Sequence, residues 1–310
     1  MESFAISSTE LHKSYGSVHA LKHCSFDVRH GELFGLIGPD GAGKTTLIRI
    51  LASLLLPDKG TVNVLGLDPV LDYKQLRKKI GYMPGRFSLY PDLTVRENLD
   101  FFASIFGTTV HQNYDLIKDI YSHIEPFEHR RAGNLSGGMK QKLALSCALI
   151  HRPEILFLDE PTTGVDAVSR REFWDMLVKL KAQGITILVS TPYMDEAARC
   201  DRIAMMLDGQ MLQVNTPAEI KLNYPWILLA VKTDRKYQTL TTLRSHPDLI
   251  TVYPFGDKIH VTVDRSDINI ELFLKQQGID AQVARIDPSV EDVFLSLAGS
   301  LNTTEAVNDR

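Results

Sequence analysis

Residues 38–46 read Gly38-Pro39-Asp40-Gly41-Ala42-Gly43-Lys44-Thr45-Thr46, and Gly38 to Thr45 have the spacing Gly-x-x-x-x-Gly-Lys-Thr. That is a phosphate-binding loop. Glycine lacks a Cβ, so the backbone curls tightly and aims successive N–H groups inward. A helix opening at Lys44 adds unpaired N–H groups and a positive dipole end at the same place. In such a loop Lys44 reaches the β- and γ-phosphates of a nucleotide, and the Thr45 hydroxyl ligates Mg²⁺. A second stretch carries acid chemistry. The apolar run Ile155-Leu156-Phe157-Leu158 ends in Asp159-Glu160. An aspartate at the end of a buried strand is the Mg²⁺ partner of a nucleotide site, direct or through water. A glutamate beside it polarises an attacking water. Tyr15, ahead of Gly16, offers a ring of the kind that stacks on an adenine base.

The elements that must position these groups follow from apolar patterning. Leu33–Ile37, Ile155–Leu158 and Ile185–Val189 are continuous apolar runs separated by helical patterns at 45–56 and 168–183. Buried strands alternating with helices argue for an α/β fold with a parallel sheet covered on both faces. Residues 3–30 alternate, which gives two or three antiparallel strands with Ser17 in a turn, and a further strand covers 61–65. A short helix at 73–79 precedes a strand at 80–84. Residues 94–150 read as helical, with Thr94 and Glu97 as a capping box and helices at 96–106, 113–124 and 138–150. No heptad pattern persists through them. Composition shifts after Thr216-Pro217. Residues 226–297 give strand (226–232), helix (236–245), strands (249–254 and 257–264), helix (267–277), strand (281–287) and helix (289–298). That is a small α+β unit of ferredoxin-like pattern. The domain expectation is a cassette over 1–217 with its helical part at about 85–150, an accessory domain over 218–299, and a disordered polar tail over 300–310.

Composition narrows the classes. The 310 residues are 44% hydrophobic and 23% charged, with a formal net charge of −4, a globular balance that advertises no nucleic-acid surface. No apolar run reaches membrane-span length, and Met1-Glu2-Ser3-Phe4 does not open a signal peptide. Cys24, Cys147 and Cys200 lack metal-ligand spacing and read as reduced packing residues, and His246 and His260 are isolated.

The discriminating stretch is Leu135-Ser136-Gly137-Gly138-Met139-Lys140-Gln141, where a serine and two glycines open a helix between the glycine loop and the Asp159-Glu160 strand. Residues 4–217 thereby resemble the ATP-binding cassette (ABC) ATPases, with Thr163-Gly164-Val165-Asp166 similar to the D-loop and Tyr15 in the place of the adenine-stacking aromatic. The resemblance implies a P-loop NTPase cassette with an antiparallel β subdomain and a helical subdomain. It implies ATP and Mg²⁺ as cofactors, with Glu160 and Lys44 as catalytic groups and Thr45 and Asp159 at the metal. It also implies a dimer in which each ATP lies between the glycine loop of one cassette and the signature of the other. ATP closes such a dimer and hydrolysis lets it open. That motion passes to transmembrane permease subunits through a groove near residues 85–100. Pro288-Ser289-Val290-Glu291-Asp292-Val293-Phe294-Leu295 is similar to the C-terminal end of multidrug and antibiotic exporter ATPases with separate membrane subunits. Gly38-Pro39-Asp40-Gly41 looks like bacterial two-cassette systems that work with a membrane-fusion protein. The expectation is an exporter subunit, peripheral on the cytoplasmic face of the membrane through its permease.

Two positions depart from that family pattern. The family has glutamine after Tyr-x-Pro, but Tyr82-Met83-Pro84 is followed by Gly85. The family has histidine after Ser-Thr, but Ser190-Thr191 is followed by Pro192. Glycine cannot touch Mg²⁺ with a side chain, and proline has no donor and no exchangeable proton. Losing one positioned polar group at a reacting phosphate costs roughly 10²–10³ in rate. The expectation is an impaired site of its own, an intact signature serving a different cassette, and a heterodimer in preference to a homodimer. Tyr193 and Arg86 are the neighbours that could compensate. A non-catalytic, ATP-sensing regulatory subunit is the alternative. A soluble repair or translation ATPase is less favoured, since the chain has neither a coiled-coil or zinc-binding insertion nor a second cassette.

Overall fold

The computed structural model describes residues 4–265 and 268–308. Residues 1–3, 266, 267, 309 and 310 lie outside the described residues, and with them Met1–Ser3 of the stretch read for a signal peptide, the first residue of the helix expected over 267–277 and the last two of the expected tail. The chain divides into two compact units, Met1–Thr216 and Pro217–Arg310.

In the first unit β1 (Phe4–Tyr15) and β2 (Val18–Arg29) form a long antiparallel hairpin. Its two-residue turn needs a left-handed residue, which Gly16 supplies at φ 59°. β3 (Leu33–Ile37) feeds α1 (Lys44–Leu51), and β4 (Lys59–Val64) pairs antiparallel with β1 to make the three-stranded sheet β2-β1-β4. Of the strands expected in 3–30, two are present, and the third member of that sheet comes from downstream. After α2 (Tyr73–Leu76), β5 (Ile80–Met83) returns to the centre. The helical part is α3 (Val95–Ile105), α4 (Tyr114–Tyr121) and α5 (Gly137–Leu149). Thr94 caps α3 reciprocally, accepting from the Glu97 N–H at 3.2 Å while its own N–H donates to the Glu97 carboxylate at 2.7 Å.

β6 (Ile155–Asp159), α6 (Ala167–Ala182), β7 (Thr186–Thr191), β8 (Arg202–Leu207) and β9 (Gln210–Asn215) complete the unit. The large sheet has the order β5-β6-β7-β3-β8-β9, parallel except for β9. Every residue of β3, β6 and β7 is buried, which is why those runs carry no alternation. Phe34, Leu36, Phe157, Leu188, Leu47 and Ile48 meet in one core. The order matters for chemistry. It brings the loops that leave β5, β6, β7 and β3 side by side at one edge, outside the carboxyl ends of the strands, where open α/β sheets bind ligands.

In the second unit α7 (Pro217–Leu222) precedes β10 (Ile227–Lys232), α8 (Lys236–Arg244), β11 (Leu249–Phe255), β12 (Lys258–Val263), α9 (Ile270–Gln276), β13 (Gln282–Ile286) and α10 (Val290–Asn308). The sheet order β11-β12-β10-β13 is antiparallel throughout, the ferredoxin-like βαββαβ arrangement. α10 runs on to Asn308, past the end expected at residue 298, so the segment 300–308 read as a disordered tail is helical in its backbone. Among the described residues, no helix is long and apolar enough to cross a membrane.

Candidate functional site

The glycine loop leaves β3 beside the end of β7, where Ile37 pairs with Thr191 and the Gly38 N–H donates to the Thr191 carbonyl at 3.4 Å. Two of its glycines are obligatory for space. A Cβ at Gly38 would stand 2.2 Å from the Met206 carbonyl oxygen. A Cβ at Gly43 would stand 2.4 Å from that of Ala20, with φ at +102°. The loop is thus pinned to β8 on one side and to the β2 strand on the other.

Lys44 opens α1 with 3% of its surface exposed. Its Nζ donates to the carbonyls of Gly38 at 2.8 Å and Pro39 at 2.9 Å and pairs with Glu160 Oε1 at 3.1 Å. The next residue, Thr45, donates its hydroxyl to Asp159 Oδ1 at 2.9 Å. Ser190, the pairing neighbour of Asp159 across β6 and β7, donates to the same oxygen at 2.9 Å. Burial pushes the Asp159 carboxyl above its ordinary value and the Glu160 charge adds to this, against the hydrogen bonds from Ser190 and Thr45. Glu160 itself sits at φ 48°, left-handed for a non-glycine residue. Its N–H is held by Ser190, through the carbonyl at 3.1 Å and the hydroxyl at 3.0 Å. Strain of this kind gathers at functional sites because surrounding contacts over-determine it. Lys44, Thr45, Asp159 and Glu160, read from two stretches over a hundred positions apart, therefore form one constellation.

Gly85 closes on the same place, since a Cβ there would stand 2.9 Å from the Asp159 carbonyl oxygen. Pro192 follows directly on Thr191 at the end of β7. Beyond it a buried carboxylate, Glu196, accepts from the hydroxyls of Thr162 at 3.0 Å and Thr191 at 2.5 Å. Arg170 stands 3.9 Å from Glu196 and over the Tyr193 ring at 4.7 Å. Ser190 and Glu196 are the members that sequence reasoning missed. Ser190 lay in the Ser-Thr pair used to find Pro192, but nothing in its spacing pointed to Asp159.

The signature occupies a different position. Leu135 is buried, Ser136 is the N-cap of α5 and accepts from the Met139 N–H at 3.4 Å, and Ser136 and Gly137 are exposed. Gly138 is the close approach, since a Cβ there would stand 2.8 Å from Ser169 Oγ at the start of α6. Lys140 lies over the Phe87 ring at 5.4 Å, and Gln141 Oε1 is buried without a partner. Asp166 caps α6, and the N–H of Ser169 leads the contacts that hold its carboxyl below the usual range. Among the described residues no hydrogen bond or ion pair joins Ser136–Gln141 to residues 38–46. Tyr15 ends β1 with 47% of its surface exposed and Lys13 Nζ 5.9 Å from its ring centre.

A cradle that only glycine fits, a buried lysine at its mouth, and a hydroxyl–carboxylate pair beside it suit the triphosphate and the Mg²⁺ of a nucleotide. Known proteins bear on this directly. Residues 21–163 match the family model described as ABC transporter. The chain is 36% identical over 284 residues to a probable multidrug ABC transporter ATP-binding protein of Escherichia coli K12, covering 90% of this chain and 49% of that protein. It thus spans about half the length of that curated relative. It is 35% identical over 305 residues to Nod factor export ATP-binding protein I of Rhizobium sp. strain N33, covering 96% of this chain and 98% of that protein. A dimeric ATP-binding cassette solved in a post-hydrolysis state with ADP and Pi superposes with a TM-score of 0.62 at 26% identity, over 68% of this chain and 98% of its own. On the glycine loop, the Asp159-Glu160 strand end and these similarities, the chain belongs to the ABC transporter family of ATP-binding cassettes.

Proposed function

We propose that this chain is the ATP-binding subunit of an exporter, working in a pair of cassettes beneath separate membrane subunits. One observation carries the reading: Lys44, Thr45, Asp159 and Glu160 converge at the carboxyl edge of the sheet, with Lys44–Glu160 at 3.1 Å and Thr45–Asp159 at 2.9 Å. In this reading Gly38–Thr46 wrap the phosphates, Lys44 holds their charge, Tyr15 stacks on the base, and Glu160 orients the attacking water. Thr45 and Asp159 would hold Mg²⁺, which neutralises charge on the β- and γ-oxygens. Ser136–Gln141 and Asp166, with no hydrogen bond or ion pair to residues 38–46 among the described residues, serve the nucleotide of a partner, as the dimeric form of the solved cassette supports.

The pair is a heterodimer in this reading. Gly85 and Pro192 leave the chain's own site short of two polar groups, while Ser136, Gly137 and Gly138 are all present for a neighbour's. A cavity of about 270 Å³ beside β5, lined by Tyr82, Leu89, Phe102, Phe106 and His151, offers an apolar seat for a permease segment. Such docking would make the chain peripheral on the cytoplasmic face. A membrane-fusion protein as a further partner rests on the wording of Gly38–Gly41, and export on the printed names of the relatives.

The test is ATP turnover of the purified chain beside Glu160→Gln, with ATP affinity measured in parallel. Tight binding with negligible turnover, rising when a partner cassette is added, is the expected result. Turnover of the chain alone at transporter rates, lost in Glu160→Gln, would overturn the asymmetric pair and leave a homodimeric ATPase. Binding with no turnover in any pairing would leave a regulatory ATP sensor.

A further inference from the structure

Away from the nucleotide loops, three ligand-bearing side chains converge on the antiparallel sheet. Glu10 and His12 lie on one face of β1, two residues apart, and His23 lies opposite on β2. His23 Nδ1 is 2.5 Å from Glu10 Oε2 and 3.0 Å from His12 Nε2. One ligand atom from each of the three residues lies within 4.8 Å of the others. They meet because the ladder is irregular here. The β1–β2 register shifts between Ser8 and Leu11 and again between Leu11 and Lys13. Glu10 and His23 take φ of 51° and 53°. Bulges of this type re-aim side chains out of the regular alternation.

Proton accounting makes the cluster unusual. The Nδ1 of an imidazole has one in-plane direction, filled by either a hydrogen or a lone pair. Two polar atoms face that one direction on His23. If Nδ1 carries the proton and donates to Glu10, His12 Nε2 is left with at most a share of a bent bond. If His12 Nε2 donates to His23, the Glu10 carboxylate faces a nitrogen lone pair at 2.5 Å. No single proton gives both contacts a linear bond. One cation satisfies all three lone pairs at once.

We propose that Glu10, His12 and His23 form a binding site for a divalent transition-metal ion of the zinc class. Two imidazoles and a carboxylate suit zinc, copper or nickel, whereas Mg²⁺ favours oxygen ligands, so this site differs in kind from the one at Thr45 and Asp159. Zinc bonds of roughly 2.0–2.2 Å at tetrahedral angles set ligand atoms roughly 3.4 Å apart. The two contacts at His23 therefore open by less than about 1 Å to admit the ion, and His23 and Glu10 stand free to do so, with side chains 68% and 59% exposed. Ser25 orients the carboxylate from behind: it accepts from the Glu10 N–H at 2.8 Å and donates to Glu10 Oε1 at 3.4 Å. The remaining coordination positions open to water. A bound ion would tie β1 to β2 across its irregular stretch, on the hairpin that ends at Tyr15.

The experiment uses tag-free full-length chain stripped with EDTA, in buffer without nucleotide or Mg²⁺. Zinc chloride is titrated by calorimetry, and cobalt chloride is followed by its visible absorption. One zinc per chain, a cobalt spectrum of low-symmetry nitrogen–oxygen coordination and a raised unfolding temperature are expected. His12→Gln and His23→Gln should weaken zinc about 10-fold or more, while Lys44→Ala should bind zinc as the parent does. The buried Cys24, Cys147 and Cys200 do not compete. No saturable binding up to about 0.1 mM zinc, or equal binding in a His12→Gln/His23→Gln double variant that still binds ATP, would overturn the proposal.

Discussion

Asp292 is the hub on which the last helix hangs, and its removal has a calculable pH signature. Its carboxylate is 1% exposed. The Tyr253 hydroxyl donates to Oδ1, and His260 Nδ1 lies 2.7 Å from the same oxygen. The Ser289 N–H at 2.7 Å and its hydroxyl at 2.5 Å donate to Oδ2. Burial works against the charge, but the bonds from His260, Ser289 and Tyr253 outweigh it and hold the carboxyl at about 2 instead of 3.8. At 1.36 kcal/mol per pH unit, and discounted for water around half-buried Ser289 and Tyr253, the charge contributes about 2 kcal/mol to folding of the second unit. The folded value lies below the unfolded one, so this contribution is complete above about pH 5 and is lost as pH falls through about 2. Asp292→Asn keeps the shape and removes the charge. Urea unfolding followed by Trp226 fluorescence, in a Trp174→Phe background, reads the second unit alone. Trp174 suits replacement because its buried Nε1 has no partner. Asp292→Asn should cost about 2 kcal/mol at pH 7 and converge on the parent only below about pH 2. Parallel curves over that range, or a cost under about 0.5 kcal/mol at pH 7, would refute the hub.

The remaining expectations concern the cassette. Gly43→Ala forces a Cβ to 2.4 Å from a backbone oxygen at φ +102°, so affinity for a fluorescent ATP analogue should fall well beyond that of Gly41→Ala, whose Cβ meets nothing within 4 Å. The latter carries only the backbone strain, on the order of 1–3 kcal/mol. Ser136→Ala should cost about 0.5–1 kcal/mol of cap stability in thermal unfolding. It should leave ATP affinity of the chain's own loop intact and lower turnover of the assembled pair roughly 10²-fold.

How much of this was legible in the chain depended on the range of the interaction. The glycine loop, the Asp159-Glu160 strand end and the cap at Thr94 are written in adjacent residues, because sterics and capping act locally. β8 and β9 were not read. Ile203-Ala204-Met205-Met206 mixes residues common in helices, and β9 is a half-buried edge carrying Gln210, Gln213 and Asn215. α1 was read five residues too long because Leu54 and Leu55 continue its periodicity. The chain instead turns at Ser53, at φ 59°, and Leu54 is left exposed. The ion pair of Lys44 with Glu160 and the convergence of Thr45 and Ser190 on Asp159 needed the strand order β5-β6-β7-β3, which no local pattern carries. His260 was read as an isolated surface or core residue, and its partner, Asp292, lay in a stretch noticed only for its resemblance.

The two departures from the family pattern differ physically, and the difference bears on which chemistry the chain can keep. Gly85 is a fit: with its Cβ position 2.9 Å from the Asp159 carbonyl, a larger side chain would push the loop off the acid pair. Pro192 is a gap, because it follows Thr191, the last residue of β7, without a donor, and its polar neighbours are already engaged. The Thr191 hydroxyl is committed to Glu196, and the Tyr193 ring lies under Arg170. Tyr193 is therefore a poor substitute for the missing histidine. Arg86, exposed beside Gly85 and without an ion-pair partner among the described residues, remains the cation within its loop that could turn towards a phosphate. A cation in that position can hold a nucleotide's charge, but it cannot accept a proton from water at neutral pH. Compensation through Arg86 would therefore restore binding more than turnover, which is the imbalance expected of a cassette that holds its own ATP and lends its signature to a partner.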